Sequence, residues 1–517
     1  MWRATRNLLR LLGVGWTLAR FGALFPLEQF HHAPALGFLA RLSLLVRRRD
    51  HGRLRPGERL AAALVALGPS FIKFGQSLAT RSDLIGDDIS RDLSRLQDKL
   101  PPFSHALAKA TIEQELEASL AESFMSFDET PIAAASIAQV HYAVTPDGAE
   151  VAVKVLRPGI EASFARDIDL FRWIAGVMEA YLPWVRRLRP VEVVELFAET
   201  VQGEMDMRME AAAAAELAEN FVDDPDFKVP SVDWQRTTRR VLTLERLRGH
   251  RPDDVEALRA EGHDPTEILR KSACIFFNQV FRDGYFHADM HPGNVFILED
   301  GRVAPVDFGI MGRLDVKTRH FLADMLIGFL TGDYRRVSEV HFRAGYVPAH
   351  KSVDAFAQAC RSIGEPILGR PLSEISLANL LARLFRVTEQ FEMQTQPQLL
   401  LLQKTMLVAE GVGRQVNDSV NIWELARPLI ERWMIENRSP QARARQAAAD
   451  ALAFAERLPA LTERAERAIN DLADGGLRLH PDTVRQFAEA NRGRRSLGWS
   501  IVLVALVVFL VVAVGVD

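Results

Sequence analysis

Residues Tyr285 to Gly309, YFHADMHPGNVFILEDGRVAPVDFG, decide the reading of this 517-residue chain. Asp289 and Asn294 stand five residues apart, and Asp307 follows after a hairpin that turns at Glu299, Asp300 and Gly301, with Phe308 and Gly309 behind it. Three oxygen-bearing side chains are thereby gathered near one loop. Phosphoryl transfer needs one carboxylate to orient or deprotonate a nucleophile, and a carboxylate plus an amide oxygen to hold Mg²⁺ on the phosphates. Asp289 suits the first role, Asn294 and Asp307 the second. Each piece alone is a weak signal; HxD, Asn at +5 and a later DFG together are specific. His287, Asp289 and His291 also alternate like transition-metal ligands, but that reading leaves Asn294 and Asp307 without a purpose. His287 itself reads as a hydrogen-bonded strut for the loop.

Upstream, Pro131 to Tyr142 and Glu150 to Leu156 (EVAVKVL) read as two short strands joined through Pro146, Asp147 and Gly148. Lys154 is the one charge in an apolar strand interior, so it either reaches to solvent or meets an anion. In a phosphoryl-transfer site that anion is the nucleotide phosphate, with a helix carboxylate holding the lysine. A long helical segment from about Ile160 to Phe221 contains GEMDMRMEA, residues 203–211. Glu210 lies six residues after Glu204, about 600° round a helix, so the two serve different partners. One would hold Lys154 and the other a second lysine. Lys73, in GPSFIKFGQSLATRSDLI, is the candidate; it shares a helical turn with Gln76, and Gly75 permits close approach. Helices around it run from about Leu60 to Leu120, broken at Pro101 and Pro102. Phe227 to Pro230 and Arg240 to Glu245 return to strand character before almost continuous helix from Asp254 to Glu489, interrupted around residues 283–310.

Composition excludes several classes. Hydrophobic residues at 48% and charged residues at 25% fit neither global disorder nor a multi-span membrane protein. A net charge of −4 offers no bulk attraction for nucleic acid. Cys274 and Cys360 are too few for a disulfide framework and fit a reducing compartment, as two buried thiols. Residues 497–516, LGWSIVLVALVVFLVVAVGV, are 20 uncharged residues, about 30 Å of helix, and read as one transmembrane span. Arg492, Arg494 and Arg495 before it place the bulk of the chain on the cytoplasmic side. At the other end, Arg3, Arg6, Arg10, Gly13, Thr17 and Arg20 share a helix face opposite Leu8, Leu9, Leu12 and Trp16. That helix suits either a membrane interface or the protein's own core. The basic run from Arg47 to Arg55 suits anionic headgroups or a solvated loop.

With these motifs in view, the sequence resembles the UbiB family of atypical protein-kinase-like proteins, associated with ubiquinone (coenzyme Q) biosynthesis, from about Gly57 to at least Glu410. Lys73, Gly75 and Gln76 match its KxGQ motif, and Ala133, Ala134, Ala135 and Ser136 match the alanine-rich loop that replaces the usual glycine-rich one. Glu204 and Asp206 match ExD, Glu210 the helix glutamate paired with Lys154, residues 287–294 the HADxHPGN loop, and Asp307 the metal-binding DFG. Met290 stands where the family pattern usually has Pro, at a position that touches no chemistry. The resemblance implies that Lys73 bonds Glu204 or Asp206 and occludes the site from large substrates. It further implies ATP and Mg²⁺ as cofactors, lipid or polyprenyl quinone intermediates and other ubiquinone-biosynthesis enzymes as partners, and adenine held by strand-end backbone near Glu245 and Leu247. Alanine takes positive φ less freely than glycine, so the loop over the phosphates is stiffer. Ala288 replaces the arginine that reads a phosphorylated activation loop, and no APE sequence follows Gly309. Both departures argue against a peptide kinase.

The expected architecture is a two-lobed α+β, protein-kinase-like fold with a helical N-terminal extension and a C-terminal membrane helix. The expected divisions are a basic amphipathic segment (1–56), the helical KxGQ extension (57–125), an N-lobe (126–248), a helical C-lobe (249–440), a juxtamembrane segment (441–496) and the span (497–516). The expected activity is that of a kinase-like ATPase on the cytoplasmic face of a bacterial inner membrane, the bacterial origin inferred from the lack of an organelle-targeting region. A small-molecule or lipid kinase and a nucleotide-switched scaffold are the competing expectations.

Overall fold

The computed structural model describes residues 2–23, 54–79, 85–93, 96, 100–181, 189–366, 386–388, 390–393, 397–416 and 422–438. The chain divides into two compact units, residues 1–7 with 53–434 and residues 8–52 with 435–517. The first helix, α1 (Trp2–Phe21), begins in the first unit, where Arg6 pairs with Asp169 at 2.8 Å. Along its continuation in the second unit, Val14 and Ala19 are buried while Leu9 and Trp16 are exposed.

In the first unit, Pro56 at a first helical position opens α2 (Pro56–Leu67), and Gly68 separates it from α3 (Pro69–Ala79), which carries Lys73 and Gln76. A Cβ on Gly75 would lie 2.5 Å from a Leu64 methyl and 2.8 Å from one of Leu96, which is why these segments can close on each other there. Next come α4 (Asp87–Leu93) and, after Pro101 and Pro102, α5 (His105–Leu116).

The sheet is built by alternation. In β4 (Glu150–Leu156), Val151, Val153 and Val155 are buried, whereas Ala152 and Lys154 are half-buried on the other face. Strands β1 (Ser126–Phe127) and β2 (Ala133–Ala134) both pair with β3 (Ala138–Val144), which pairs with β4, which pairs with β5 (Val241–Glu245), all antiparallel. Val140 lies opposite Lys154 and Tyr142 opposite Ala152. Gly148, at φ +89, makes the β3–β4 turn that only a residue at ease with positive φ completes without strain. The buried face packs Ala143, Val151, Val153, Val155 and Val241 against Ile112, Phe124 and Phe103. Each fully buried valine there contributes about 1.5–3 kcal/mol.

The segment read as one helix from Ile160 to Phe221 is α6 (Ile160–Tyr181), α7 (Pro190–Glu204) and α8 (Met207–Asn220). The last break has a chemical cause: Asp206 adopts extended backbone and its carboxylate accepts the Arg208 amide hydrogen, which starts a new helix. Phe227 to Pro230 is not a strand; Phe227 makes a single parallel bridge to Val303.

The helical lobe begins with β6 (Gly249–His250) and α9 (Pro265–Phe277), capped by Asp264. Helix α9 runs into a π-helical turn, Asn278–Asp283, that ends at Gly284 with φ +65. Strand β7 (Tyr285–His287) pairs with β10 (Met311–Arg313), and β8 (Val295–Leu298) lies between β6 and β9 (Val303–Pro305). The β8–β9 turn has Gly301 at φ +78, as the hairpin reading expects. Then follow α10 (Val316–Leu330), α11 (Tyr334–Arg343), α12 (Val353–Gly364), α13 (Pro397–Val416) and α14 (Ile422–Arg438). Phe276, Phe277, Phe281, Phe286, Ile430 and Trp433 form one core of the helical lobe, and Ala288 of the HADMHPGN loop is buried in it. Cys360 is buried as expected, but Cys274 is only partly buried, with the Arg270 guanidinium 3.9 Å from its sulfur. No helix among the described residues is long and apolar enough to cross a membrane. The expected span at 497–516, the juxtamembrane segment 441–496 and the basic residues Arg47, Arg48, Arg49 and Arg53 lie outside the described residues.

Candidate active site

Strand β4 aims Lys154 off the half-buried face of the sheet, and the first turn of α8 aims Glu210 at it. The ammonium donates to both Glu210 oxygens, at 2.7 and 2.9 Å, and to Asp307 Oδ1 at 3.4 Å. Helix α8 and the DFG segment are also joined directly, because the Phe308 amide donates to Glu210 Oε1 at 3.3 Å. Of the alternatives left by the sequence, the structure therefore gives Lys154 to Glu210. Burial disfavours charge on Lys154, but Asp307 and Glu210 outweigh it and hold the pKa above its ordinary value. Burial likewise opposes charge on Asp307; Lys154 and the Gly309 amide prevail and hold it well below the usual carboxylate range, with Lys73 contributing. Glu210 is pushed upward by burial, against the pull of Lys154.

The loop of residues 287–294 is fixed by its own polar groups. Asn294 Nδ2 donates to Asp289 Oδ2 and to the Asp289 carbonyl, both at 3.1 Å, and Val306 donates to the Asn294 carbonyl at 2.9 Å. The last bond sets Asn294 beside the DFG segment. His287 is the strut the sequence suggested. Its Nδ1 accepts the Asp289 amide hydrogen, so its Nε2 carries the proton and donates to the Asp307 carbonyl. Both ring nitrogens are engaged, and His291 Nδ1 accepts the Gly293 amide hydrogen at 3.1 Å. The alternating metal-ligand reading therefore has no free imidazole at His287, and no cluster of three or more His, Cys, Asp or Glu able to hold a metal occurs among the described residues. A hard cation fits a different pair. Asn294 donates through its amide nitrogen and so keeps its carbonyl oxygen for a ligand, beside the ionised Asp307.

The residues expected to occlude the site divide. Lys73 pairs with Glu204 at 2.9 Å, both side chains largely buried. Asp206 instead caps α8 and pairs with Arg208 at 2.7 Å. Gln76 Nε2 donates to the Leu96 carbonyl at 3.2 Å and so ties α3 to the chain that leads into the lobe. In the alanine loop, Ala133 is exposed, Ala134 and Ala135 are half-buried, and Ser136 is fully buried with no hydrogen-bond partner for its hydroxyl. The Glu245 side chain binds Lys228 at 2.8 Å and Ser231, and the Glu245 amide donates to the Ser231 carbonyl at 2.8 Å. Burial would raise the Glu245 carboxyl, yet Lys228 and Ser231 hold it below its ordinary value.

Gln279 escaped the sequence reading. Fully buried in the π-helical turn, it accepts the His287 amide hydrogen at 2.9 Å and so orients the strut. Its signal was an amide inside the apolar run SACIFFNQVF, at the kind of helix irregularity often found near functional sites.

Residues 95–341 match the ABC1 atypical kinase-like domain, and residues 360–421 match the UbiB helical domain. A relative from Marinobacter nauticus, named probable protein kinase UbiB, is 42% identical over 440 residues, 84% of this chain and 80% of its own. The chain belongs to the UbiB family. A second UbiB relative, from Aeromonas hydrophila, is 42% identical over 437 residues, with the same coverage. Among solved structures, the Mycobacterium tuberculosis protein Rv3197, determined in complex with erythromycin, shares 26% identity at a TM-score of 0.51, covering 69% of this chain and 90% of that one. UbiB membership and the protein-kinase-like ABC1 fold agree with the sheet, the Lys154–Glu210 pair and the HADMHPGN loop.

Proposed function

We propose that this UbiB-family chain is a membrane-anchored, kinase-like ATPase that binds Mg·ATP and supports ubiquinone biosynthesis by acting on, or helping to extract, lipid intermediates. The observation that carries the reading is the convergence of Lys154, Glu210 and Asp307, next to Asp289 held by Asn294. Lys154 would meet the α/β-phosphates, with Glu210 fixing its position. Asn294 and Asp307 would hold Mg²⁺, which neutralises phosphate charge when bound. Asp289, oriented by two hydrogen bonds from Asn294, would position a water or hydroxyl. The adenine would lie under Val140 and Ala152, half-buried neighbours of Lys154 on one sheet face, and against backbone at Glu245 and Leu247.

The closed Lys73–Glu204 pair supports occlusion of bulky substrates and hence water or a small group as phosphate acceptor. Membrane anchoring rests on the 497–516 sequence and on the exposed Leu9 and Trp16 of α1. The expected setting is the cytoplasmic face of a bacterial inner membrane, with quinone-modifying enzymes as partners.

The test is Mg²⁺-dependent ATP hydrolysis by the full chain, with and without anionic liposomes, alongside thermal shifts for wild type and Asp307→Asn. Nucleotide at about 100 times its dissociation constant stabilises a competent fold by about 2.7 kcal/mol. Turnover that rises on liposomes and vanishes in Asp307→Asn supports the ATPase. A thermal shift without turnover supports a nucleotide-switched scaffold, labelled phosphate on extracted lipid supports a lipid kinase, and no shift removes the mechanism.

A further inference from the structure

The face of the sheet opposite Lys154 carries a polar cluster that the site does not use. Gln139 and His141 in β3 lie opposite Val155 and Val153, so their side chains emerge on the face that packs the valine core. Phe103 packs against that same core. It follows Pro101 and Pro102 in the linker from the KxGQ extension, and because those two prolines lack amide hydrogens, the Phe103 amide is the first donor after them. Gln139 Oε1 takes it at 3.0 Å. Behind Gln139, His141 Nδ1 donates to the Asp128 carbonyl at 2.7 Å, which leaves its Nε2 to accept from Gln139 Nε2 at 2.8 Å. The Gln139 amide is thereby fixed in one orientation.

Arg157, just beyond β4, completes the arrangement. Its Nη2 donates to the Pro101 carbonyl at 3.0 Å and to the Ala135 carbonyl at 3.3 Å, and its guanidinium stacks on Phe103 with Cζ 5.3 Å from the ring centre. No carboxylate pairs with Arg157 among the described residues, so its partners are two backbone carbonyls and a ring. One nitrogen thus bridges the linker and the alanine loop, while Ala134 within that loop pairs with Gln139. The Arg157 amide also donates to the Ile137 carbonyl, at 2.7 Å, so Arg157 holds the C-terminal side of the loop on both flanks of Ser136.

We propose that Arg157 is a positioning residue: it clips the alanine loop to the Pro101–Phe103 linker, so that the loop over the phosphates and the seat of the KxGQ extension move together. The extension enters this circuit through Gln76, which holds Leu96 five residues before Pro101. The inference rests on the nucleotide reading above for its consequence, but the clip itself is tested without nucleotide.

Hydrogen exchange on the full chain, with Mg·ADP as the probe ligand, decides it. Arg157→Met removes both carbonyl bonds. Exchange of the Phe103 amide and of the amides of residues 133–138 should quicken together by about tenfold or more, and the dissociation constant for Mg·ADP should rise about tenfold, the loss of one charge-assisted hydrogen bond's worth. Arg157→Lys, which keeps a donor, should recover part of both effects, as a purely packing role would not. Should Arg157→Met fail to fold, Arg157→Gln, which keeps a shorter polar side chain but cannot bridge both carbonyls, carries the same test. The clip is refuted if Phe103 loosens while residues 133–138 exchange as in wild type, or if Arg157→Lys behaves like Arg157→Met. A wild-type chain that does not bind Mg·ADP overturns the nucleotide reading instead, and linked exchange in the unliganded chain still decides the clip.

Discussion

Replacing Lys154 by Met leaves Glu210, a 7% exposed carboxylate, without the ammonium that donates to both its oxygens. Burial and the neighbouring Asp307 already push Glu210 upward in the intact site, against Lys154. Without the lysine, Glu210 escapes an unpaired buried charge by taking a proton. The cost of that proton sets the magnitude. With an unfolded-state pKa of about 4.3, keeping Glu210 protonated at pH 7 costs about 1.36 × 2.7, or about 3.7 kcal/mol. At pH 5 the same cost is about 1 kcal/mol. The sign follows because the native variant binds a proton that the unfolded chain releases, so its stability relative to wild type falls as pH rises from about 4.3, by about 1.36 kcal/mol per unit. The assay is denaturant or thermal unfolding of wild type, Lys154→Met and Lys154→Met/Glu210→Gln at pH 5, 6, 7 and 8. The double variant keeps an acceptor for the Phe308 amide and should lose the slope. A Lys154→Met penalty equal at pH 5 and pH 8 would show that Glu210 carries no buried charge beside Lys154.

Two further outcomes are open to direct measurement. Burial lowers the His141 pKa, despite the Asp128 carbonyl that favours the charged ring, so the stability it contributes is full above about pH 6.5 and is lost as pH falls through the folded value; the melting temperature should drop between pH 7 and pH 5, and less so in His141→Asn. Burial pushes the Cys360 thiol up to about 12, so iodoacetamide at pH 8 should alkylate Cys274 in the native chain and Cys360 only after denaturation, as read by peptide mass spectrometry.

The legible parts of this molecule were those whose chemistry is local in sequence. The run from His287 to Asn294 closes on itself through bonds spanning two to five residues, and the hairpin that brings Asp307 beside it turns at a glycine. The alternation of EVAVKVL set Lys154 apart from the buried valines but left solvent and an anion both open, and the structure gives it Glu210 and Asp307. Helical periodicity misled around residues 204–210, because strong helix formers surround a carboxylate whose capping bond interrupts the helix. That break also undid the phase argument separating Glu204 from Glu210, although each does meet its own lysine. Contacts between distant segments left no pattern to read. Gln139 meets Phe103 across 36 residues and Arg157 meets Pro101 across 56, and neither pairing has a periodicity. Lys228 on Glu245 was hidden in the same way, in a segment taken for a strand.

The joint at Met205 and Asp206 has a consequence for how such a site can change state. Glu204 is the last residue of one helix, Glu210 stands in the first turn of the next, and each holds a different lysine. Because Lys73 and Lys154 stand on different elements, rotation about that short joint can open one ion pair while the other holds. In the function proposed above, the contact that would occlude the site and the lysine that would meet the phosphates lie on opposite sides of one hinge, so access to the site can change without loosening the Lys154–Glu210 pair.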